Sequence, residues 1–322
     1  MSLNSKNIIS ILSLPRCGKV STFKIAEYAF HNKITIDKLD DTKNLIEECK
    51  QKKIISSLPE YSIADLQYSQ DKADAIIEKS INSGIGMSNI FESTFPDNLR
   101  NIIDQNGKNV SPILIYYKGD ITKTKLPSVA IIGTREPTVE GRTAGEYFGK
   151  LFAENGFNIV SGLAIGCDTA GHKGAIMAKG ITTAFLAHGL DKIYPKENTA
   201  LASSIIESGG ILISEYPIGS DLSRFTLVER DRLQAGLALA TIVIQTGING
   251  GTMHAANATL VNQKPLYVVE YKSSDVMNHN KVQGNSFLLT KGARVINTNN
   301  ALSIMKSIIS EKRTSNNQQI LF

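Results

Sequence analysis

The run Asn158-Ile159-Val160-Ser161-Gly162-Leu163-Ala164-Ile165-Gly166-Cys167-Asp168-Thr169-Ala170-Gly171-His172 passes from a short apolar segment through a glycine-bearing bend into an amphipathic stretch. A β-branched run of that length suits a strand buried on both faces, and the stretch after it repeats apolar residues every three or four positions up to Gly180. The same strand, loop and helix grammar extends both ways. Strands are predicted over 129–132, 158–160, 182–186, 211–213, 242–245, 266–269 and 294–296. Helices are predicted between them over 140–155, 169–179, 198–208, 230–239 and 253–262. Alternation of this kind specifies an α/β fold: a Rossmann-like, doubly wound, mostly parallel sheet.

Upstream, the grammar is helical. Apolar spacing predicts helices over 8–14, 21–30, 44–53 and 63–81, with Pro15-Arg16-Cys17-Gly18-Lys19 as a tight turn and Ser21 as the next N-cap. Ser83-Gly84-Ile85-Gly86 breaks the pattern. The expected organisation is a small helical domain over 1–85, the sheet domain over 86–300, and a terminal helix with an exposed tail over 301–322.

Composition bounds the function class. The 322 residues carry 42% hydrophobic and 20% charged side chains, as an ordinary globular protein does. Thirty-five Lys and Arg against 30 Asp and Glu give a formal charge of +5, which permits an anionic partner without naming one. Cys17, Cys49 and Cys167 are far apart and odd in number, which suggests neither a disulfide framework nor a zinc ribbon. The apolar runs fall short of the roughly 20 residues of a membrane span, and the expected location is cytoplasmic.

In a doubly wound sheet, ligands bind outside the carboxyl ends of the strands. The loops there hold Gly133-Thr134-Arg135, Ser161-Gly162 with Gly166, and Gly250-Gly251-Thr252. Small residues bring backbone amides close to a ligand, helix starts follow, and Arg135 adds a forked cation, which together meet the needs of phosphate. Neither Gly-x-Gly-x-x-Gly nor a Walker loop follows the first parallel strand, and no nucleophile elbow or His-Glu-x-x-His occurs. Dinucleotide binding, ATP hydrolysis, hydrolase chemistry and metal binding therefore lose ground, and no cofactor or metal is expected. Asp168 and His172 lie one helical turn apart; they read as a helix cap and a packed histidine, with an acid/base pair or, with Cys167, a metal site as the alternative. Arg224, Phe225, Arg230 and Arg232 cluster just before a predicted helix, a composition that suits phosphates held by Arg and a base stacked on Phe225.

These loops, in order, resemble the DNA-processing protein DprA (Smf) family. The resemblance rests on Gly133-Thr134-Arg135, the 161–172 run, Gly189-Leu190-Asp191-Lys192-Ile193-Tyr194-Pro195 with Asn198 and Leu201, and Ser214-Glu215-Tyr216-Pro217. It extends from about Phe95 to Val269. This sequence departs from the family pattern by two extra residues between Phe225 and the Arg230, Arg232 pair, by Asp231 in place of Asn, and by Gly171 before His172. The resemblance implies a non-catalytic protein that binds single-stranded DNA as a homodimer, protects it during uptake or recombination, and passes it to a RecA-type recombinase. Carried over, Arg135 would hold phosphate with Arg230 and Arg232 flanking it.

The terminus Gln318-Gln319-Ile320-Leu321-Phe322, after a predicted polar linker over 311–317, resembles a sliding-clamp-binding peptide in which Gln318, Leu321 and Phe322 make the contacts. Two other readings keep the same fold: a sensor of free nucleotide, or a nucleotide phosphoribohydrolase of the LOG type, whose Pro-Gly-Gly-x-Gly-Thr-x-x-Glu pattern Gly250-Gly251-Thr252 matches only in part.

Overall fold

The computed structural model describes residues 3–56 and 58–319. Four helices open the chain: α1 (Ser5–Ser13), α2 (Lys19–His31), α3 (Leu39–Gln51) and α4 (Ile63–Asn82). α2 starts two residues before the expected Ser21, on Gly18, which offers no side-chain cap. Strands β1 (Gly86–Asn89), β2 (Leu114–Lys118) and β3 (Ser128–Ile132) follow. The chain then alternates through α5 (Val139–Glu154), β4 (Asn158–Ser161), α6 (Cys167–Met177), β5 (Thr182–Leu186), α7 (Thr199–Glu207) and β6 (Ile211–Ser214). It continues with α8 (Arg224–Leu237), β7 (Ala240–Val243), α9 (Thr252–Val261) and β8 (Leu266–Val269). The last elements are α10 (Ser274–Met277), α11 (Gln283–Thr290), β9 (Arg294–Ile296) and α12 (Ala301–Gln319).

Among the described residues one sheet contains all nine strands, in the order β1-β2-β6-β5-β4-β3-β7-β8-β9. The seven strands from β3 to β9 run parallel, and β1 and β2 extend the β6 edge in antiparallel pairing. The α/β, doubly wound, mostly parallel architecture is thus as the sequence implies. β1 was not expected: its four residues, Gly-Met-Ser-Asn, carry no apolar alternation and take strand form through pairing with β2.

The continuous apolar runs are explained by burial on both faces. Along β3, Val129 and Ile131 join one core with Phe148 and Phe152 of α5 and Met305 and Ile308 of α12. Ala130 and Ile132 face the other, with Ile205 of α7, Leu233 and Leu237 of α8 and Ala255 of α9. That second core runs unbroken into Ile8, Ile25 and Leu45 of the N-terminal helices. α5 and α6 touch at backbone distance, since a Cβ on Gly174 would collide with Glu146 O and one on Gly149 with Gly171 O.

Two expectations at the C-terminal end change. α12 continues helical through Gln319, where a polar linker over 311–317 was expected. Leu321 and Phe322 of the clamp-binding peptide lie outside the described residues, and Gln318 belongs to the backbone of α12. Among the described residues, no helix is long and apolar enough to cross a membrane.

Lys264 closes α8 from outside its own sequence. Its Nζ donates to Ala235 O (3.0 Å), Gly236 O (2.5 Å) and Ala238 O (2.9 Å), carbonyls at the helix end that lack intrahelical partners. Lys264→Met keeps the stem and removes all three bonds. The variant is expected to lose about 2–3 kcal/mol of stability in urea denaturation at unchanged slope; an unchanged midpoint would refute the role.

Candidate functional site

β3 is flanked by β4 on one side and β7 on the other, so the chain's winding direction reverses there and the loops after β3 and β7 diverge to opposite faces. A cleft of about 850 Å³ opens at that point. Gly133, Thr134, Arg135, Arg230, Gly250, Gly251 and Thr252 of the expected crest line it, so sequence-distant loops do converge.

The floor is stitched by backbone and amide contacts. Thr134 N donates to Gln245 O (2.7 Å), Cys167 N to Thr134 O (3.1 Å), and Gln245 exchanges two 2.9 Å bonds with Thr138. Gly133 must be small, because a Cβ there would lie 2.5 Å from Cys167 Sγ. Gly166 sits at φ +87°, and its Cβ would meet Thr134 O at 2.5 Å. Gly284 N donates to Thr246 O (2.8 Å) and Asn285 brackets Thr246 N and Ile244 O, which anchors the start of α11 to the loop after β7.

Three helix starts approach the cleft, and they differ in availability. At α6 the Cys167 amide is taken by Thr134 O. At α8 Ser223 caps Thr226 N in a capping box. α9 begins on Gly251 without a side-chain cap, and among the described residues the Gly251 and Thr252 amides have no protein acceptor.

The arginines divide by role. Arg135 and Arg224 are exposed on the cleft wall and make no ion pair among the described residues. Arg230 is buried: its Nη1 donates to Gly162 O and Phe185 O, both at 2.5 Å, and its Nε to Asp231 Oδ1 at 3.1 Å. It lines the cleft as a strut. Arg232 corrects the expectation, because it faces away and donates to Val110 O (2.7 Å), Glu229 O (2.5 Å) and Glu215 Oε2 (2.8 Å). Ser161 is likewise spent inside, donating to Ile131 O at 2.6 Å with no exposure. Gly162 backs onto Arg230 beside a smaller neighbouring pocket, and Gly166 underlies the floor. Phe225, 69% exposed, stands in the first turn of α8 beside the cleft, where the sequence placed it in a loop ahead of the helix.

Asp168 is no helix cap. Gly166 holds that position, while Asp168 Oδ2 accepts from Gly162 N (3.2 Å) and Ala164 N (3.3 Å) and so closes the bend in which Leu163 takes φ +65°. Burial pushes its carboxyl up to about 6, opposed by the nearby Arg230 charge. His172 is a packed histidine as expected. Thr182 spends its hydroxyl proton on Ile159 O, so His172 Nδ1–H donates to Thr182 Oγ1 (2.6 Å), and burial holds the ring neutral, down to about 3. Asp231, half-buried, is held by Arg230 and by Gln234 Nε2 (3.1 Å), so its charge is paired within the protein. Among the described residues, no His, Cys, Asp or Glu group is arranged to share a metal.

Sequence reasoning missed the far wall. Asn280, Lys281 and Gln283 line the cleft from the segment between α10 and α11, and Lys281 pairs with Glu136 across it at 2.7 Å. No motif marks that segment. Arg224 was read as part of a cluster without a direction, and the Ser223-x-x-Thr226 capping box was the signal that fixes it.

Residues 87–307 match the family model of DNA recombination-mediator protein A. The chain belongs to that family. The DNA processing protein DprA of Streptococcus pneumoniae is 31% identical over 212 residues, 64% of this chain and 72% of that protein. Protein Smf of Synechocystis is 33% identical over 195 residues, 59% of this chain and 48% of its own length, so the chain spans about half of that relative. The X-ray structure of S. pneumoniae DprA superposes with a TM-score of 0.73 at 25% identity, covering 94% of this chain and 98% of that one. A second family structure, of DNA processing protein A from Helicobacter pylori, described for its single-stranded DNA binding mode, gives 0.59 at 28% identity over 69% and 96%.

A pH test isolates Asp168. Between about pH 4 and 6 the folded chain keeps this proton while the unfolded chain has lost it, so the group's contribution to stability falls as pH rises through that window. Asp168→Asn does not titrate. Relative to the parent, the variant is expected to gain up to about 3 kcal/mol from pH 4 to 7 in denaturant titrations; parallel pH curves would overturn the assignment.

Proposed function

We propose that this member of the DNA recombination-mediator protein A family holds single-stranded DNA in the cleft at the β3/β7 switch point without cleaving it. The observation that carries the reading is the pairing pattern of the cleft. Its two exposed arginines, Arg135 and Arg224, and the Gly251 and Thr252 amides have no protein partners among the described residues, while the carboxylates of the cleft are engaged: Asp168 is buried and bonded, Asp231 is half-buried against Arg230, and Glu136 is paired with Lys281. A cleft so arranged attracts a backbone phosphate and offers no activated nucleophile. Phe225, held at the rim by α8, adds a face on which a base of any identity stacks. The single-stranded DNA binding of the H. pylori relative supports the choice of ligand.

In this reading the bound strand is protected and handed to a RecA-type recombinase by a homodimer in the cytoplasm, and the clamp-like terminal peptide adds a second tether. The DNA sites are Gly133, Thr134, Arg135, Arg224, Phe225, Gly250, Gly251 and Thr252, with Arg230 as the support behind them.

Fluorescence-anisotropy binding of a labelled single-stranded oligonucleotide across a salt series tests the proposal. Affinity is expected to fall steeply with salt, and Arg135→Ala to weaken binding about tenfold with a shallower salt slope. Arg232→Lys, outside the cleft, serves as the comparison and is expected to bind within about twofold of the parent. Displacement of the strand by free mononucleotide at equal concentration, or salt-insensitive binding, would refute the reading.

A further inference from the structure

Asn249 stands apart from its neighbours in the loop after β7. It lines the cleft with Arg135 and Arg224, is exposed, and makes no hydrogen bond through main chain or side chain among the described residues. The residue after it is Gly250. In an Asn-Gly step no Cβ crowds the following amide nitrogen, and that nitrogen can reach the carboxamide carbon of the asparagine in front of it. The sequence has three such steps, Asn106-Gly107, Asn155-Gly156 and Asn249-Gly250.

The fold treats the three differently. Asp104 locks the first: its Oδ1 accepts from Asn106 N (2.8 Å) and Lys108 N (2.9 Å), and its carbonyl from Gly107 N (2.9 Å). The second ends α5. Asn155 Nδ2 donates to Leu151 O (2.8 Å), Gly156 holds φ +80°, and Phe157 N returns to Phe152 O (3.1 Å), so turning Asn155 toward Gly156 N tears a complete helix cap. The third is held, among the described residues, by Gly250 N to Gly247 O (3.1 Å) and, on its far side, by Met253 N to Gly250 O (3.0 Å). Gly247, Gly250 and Gly251 leave the main chain around Asn249 free to rotate. Packing also keeps the step as it is, since a Cβ on Gly250 would lie 2.9 Å from Thr246 Oγ1.

We propose that Asn249 is a site of spontaneous deamidation, and that the carboxylate formed there closes the cleft to phosphate. Gly250 N gives its proton to solvent base and bonds Asn249 Cγ, the Cγ–Nδ2 bond breaks, and ammonia leaves. Water then opens the five-membered imide at either carbonyl, to aspartate or, with the main chain rerouted through Cβ, to isoaspartate. The net change is the gain of a water and the loss of an ammonia, with no oxidant or cofactor. Either product sets a negative charge two residues ahead of Gly251, where α9 starts. There it competes with a ligand phosphate for the Gly251 and Thr252 amides and offsets part of the positive field of the cleft. The effect on binding rests on the single-strand reading above; the covalent change does not.

The test ages the full chain in mildly alkaline buffer at physiological temperature. Peptide mapping by mass spectrometry follows the mass gained at each Asn-Gly step when NH becomes O, and anisotropy follows binding of a labelled single-stranded oligonucleotide by the same samples. Asn249 is expected to convert well ahead of Asn106 and Asn155, with affinity falling in step. Unaged Asn249→Asp should bind about tenfold more weakly than the parent at low salt, the deficit closing as salt rises. Asn249→Gln, which cyclises far more slowly through a six-membered ring, should keep its starting affinity through the same ageing. Conversion at Asn249 no faster than at the other two steps would overturn the site. Conversion there with affinity unchanged and salt dependence normal would overturn the closure. Absence of salt-sensitive binding in the fresh chain would instead remove the single-strand reading, and the mass data would still decide the modification.

Discussion

A single buried guanidinium organises the ligand face of this protein. Arg230 reaches from α8 across the tops of β4 and β5, bonds the carbonyls of Gly162 and Phe185, and takes Asp231 as its counter-ion. A cation withdrawn from water this far is tolerable only when it is paired and hydrogen-bonded, and removing its counter-ion or those carbonyls is costly. Gly162 follows from the same constraint, since a Cβ would strike the guanidinium. The bend after β4, the tilt of α8 and the separation of the two neighbouring spaces all depend on where this group sits.

The fold was legible because its determinants are local. Short β-branched runs closed by Gly-bearing loops leave few topologies open, and β3 shows the reason in its alternating allegiance to two cores. The site was legible only in part. Arg230 and Arg232 look equivalent in sequence, but two residues along a helix turn a side chain by about 200°, so one faces the strand ends and the other the far side. Once α8 is known to start at Arg224, the cleft face follows as Arg224, Leu227, Val228, Asp231 and Gln234, one stripe at helical spacing. Placing the helix start six residues too late hid that stripe. The β-branched and aromatic residues Phe225, Thr226 and Val228 weaken the helical signal there, and the capping box overrides it. Lys281 was beyond reach for a different cause: a loop joined to the site only through tertiary bonds at Gly284 and Asn285 leaves no periodic trace.

The outward face of α8 has its own partner. Arg232 and Lys19 share the buried carboxylate of Glu215, at 2.8 and 3.2 Å, and Lys19 also lies over the Tyr216 ring. Lys19 opens α2, so the helix that forms one wall of the cleft and the helices at the start of the chain meet at one acid. The continuous core from Ile8 to the sheet makes the same connection in apolar terms.

The glycine contact between α5 and α6 gives the cleft a mechanical asymmetry. Where two helices meet backbone to backbone, no side chain remains to change rotamer, and the layer beneath Gly133 and Gly166 has nowhere to yield. The walls above that floor are built from long side chains on α8 and, facing them, from the segment bearing Lys281, whose contact with Glu136 is exposed to solvent. A ligand entering such a cleft would meet a fixed floor between adjustable walls, and differences in its thickness would be absorbed at the walls.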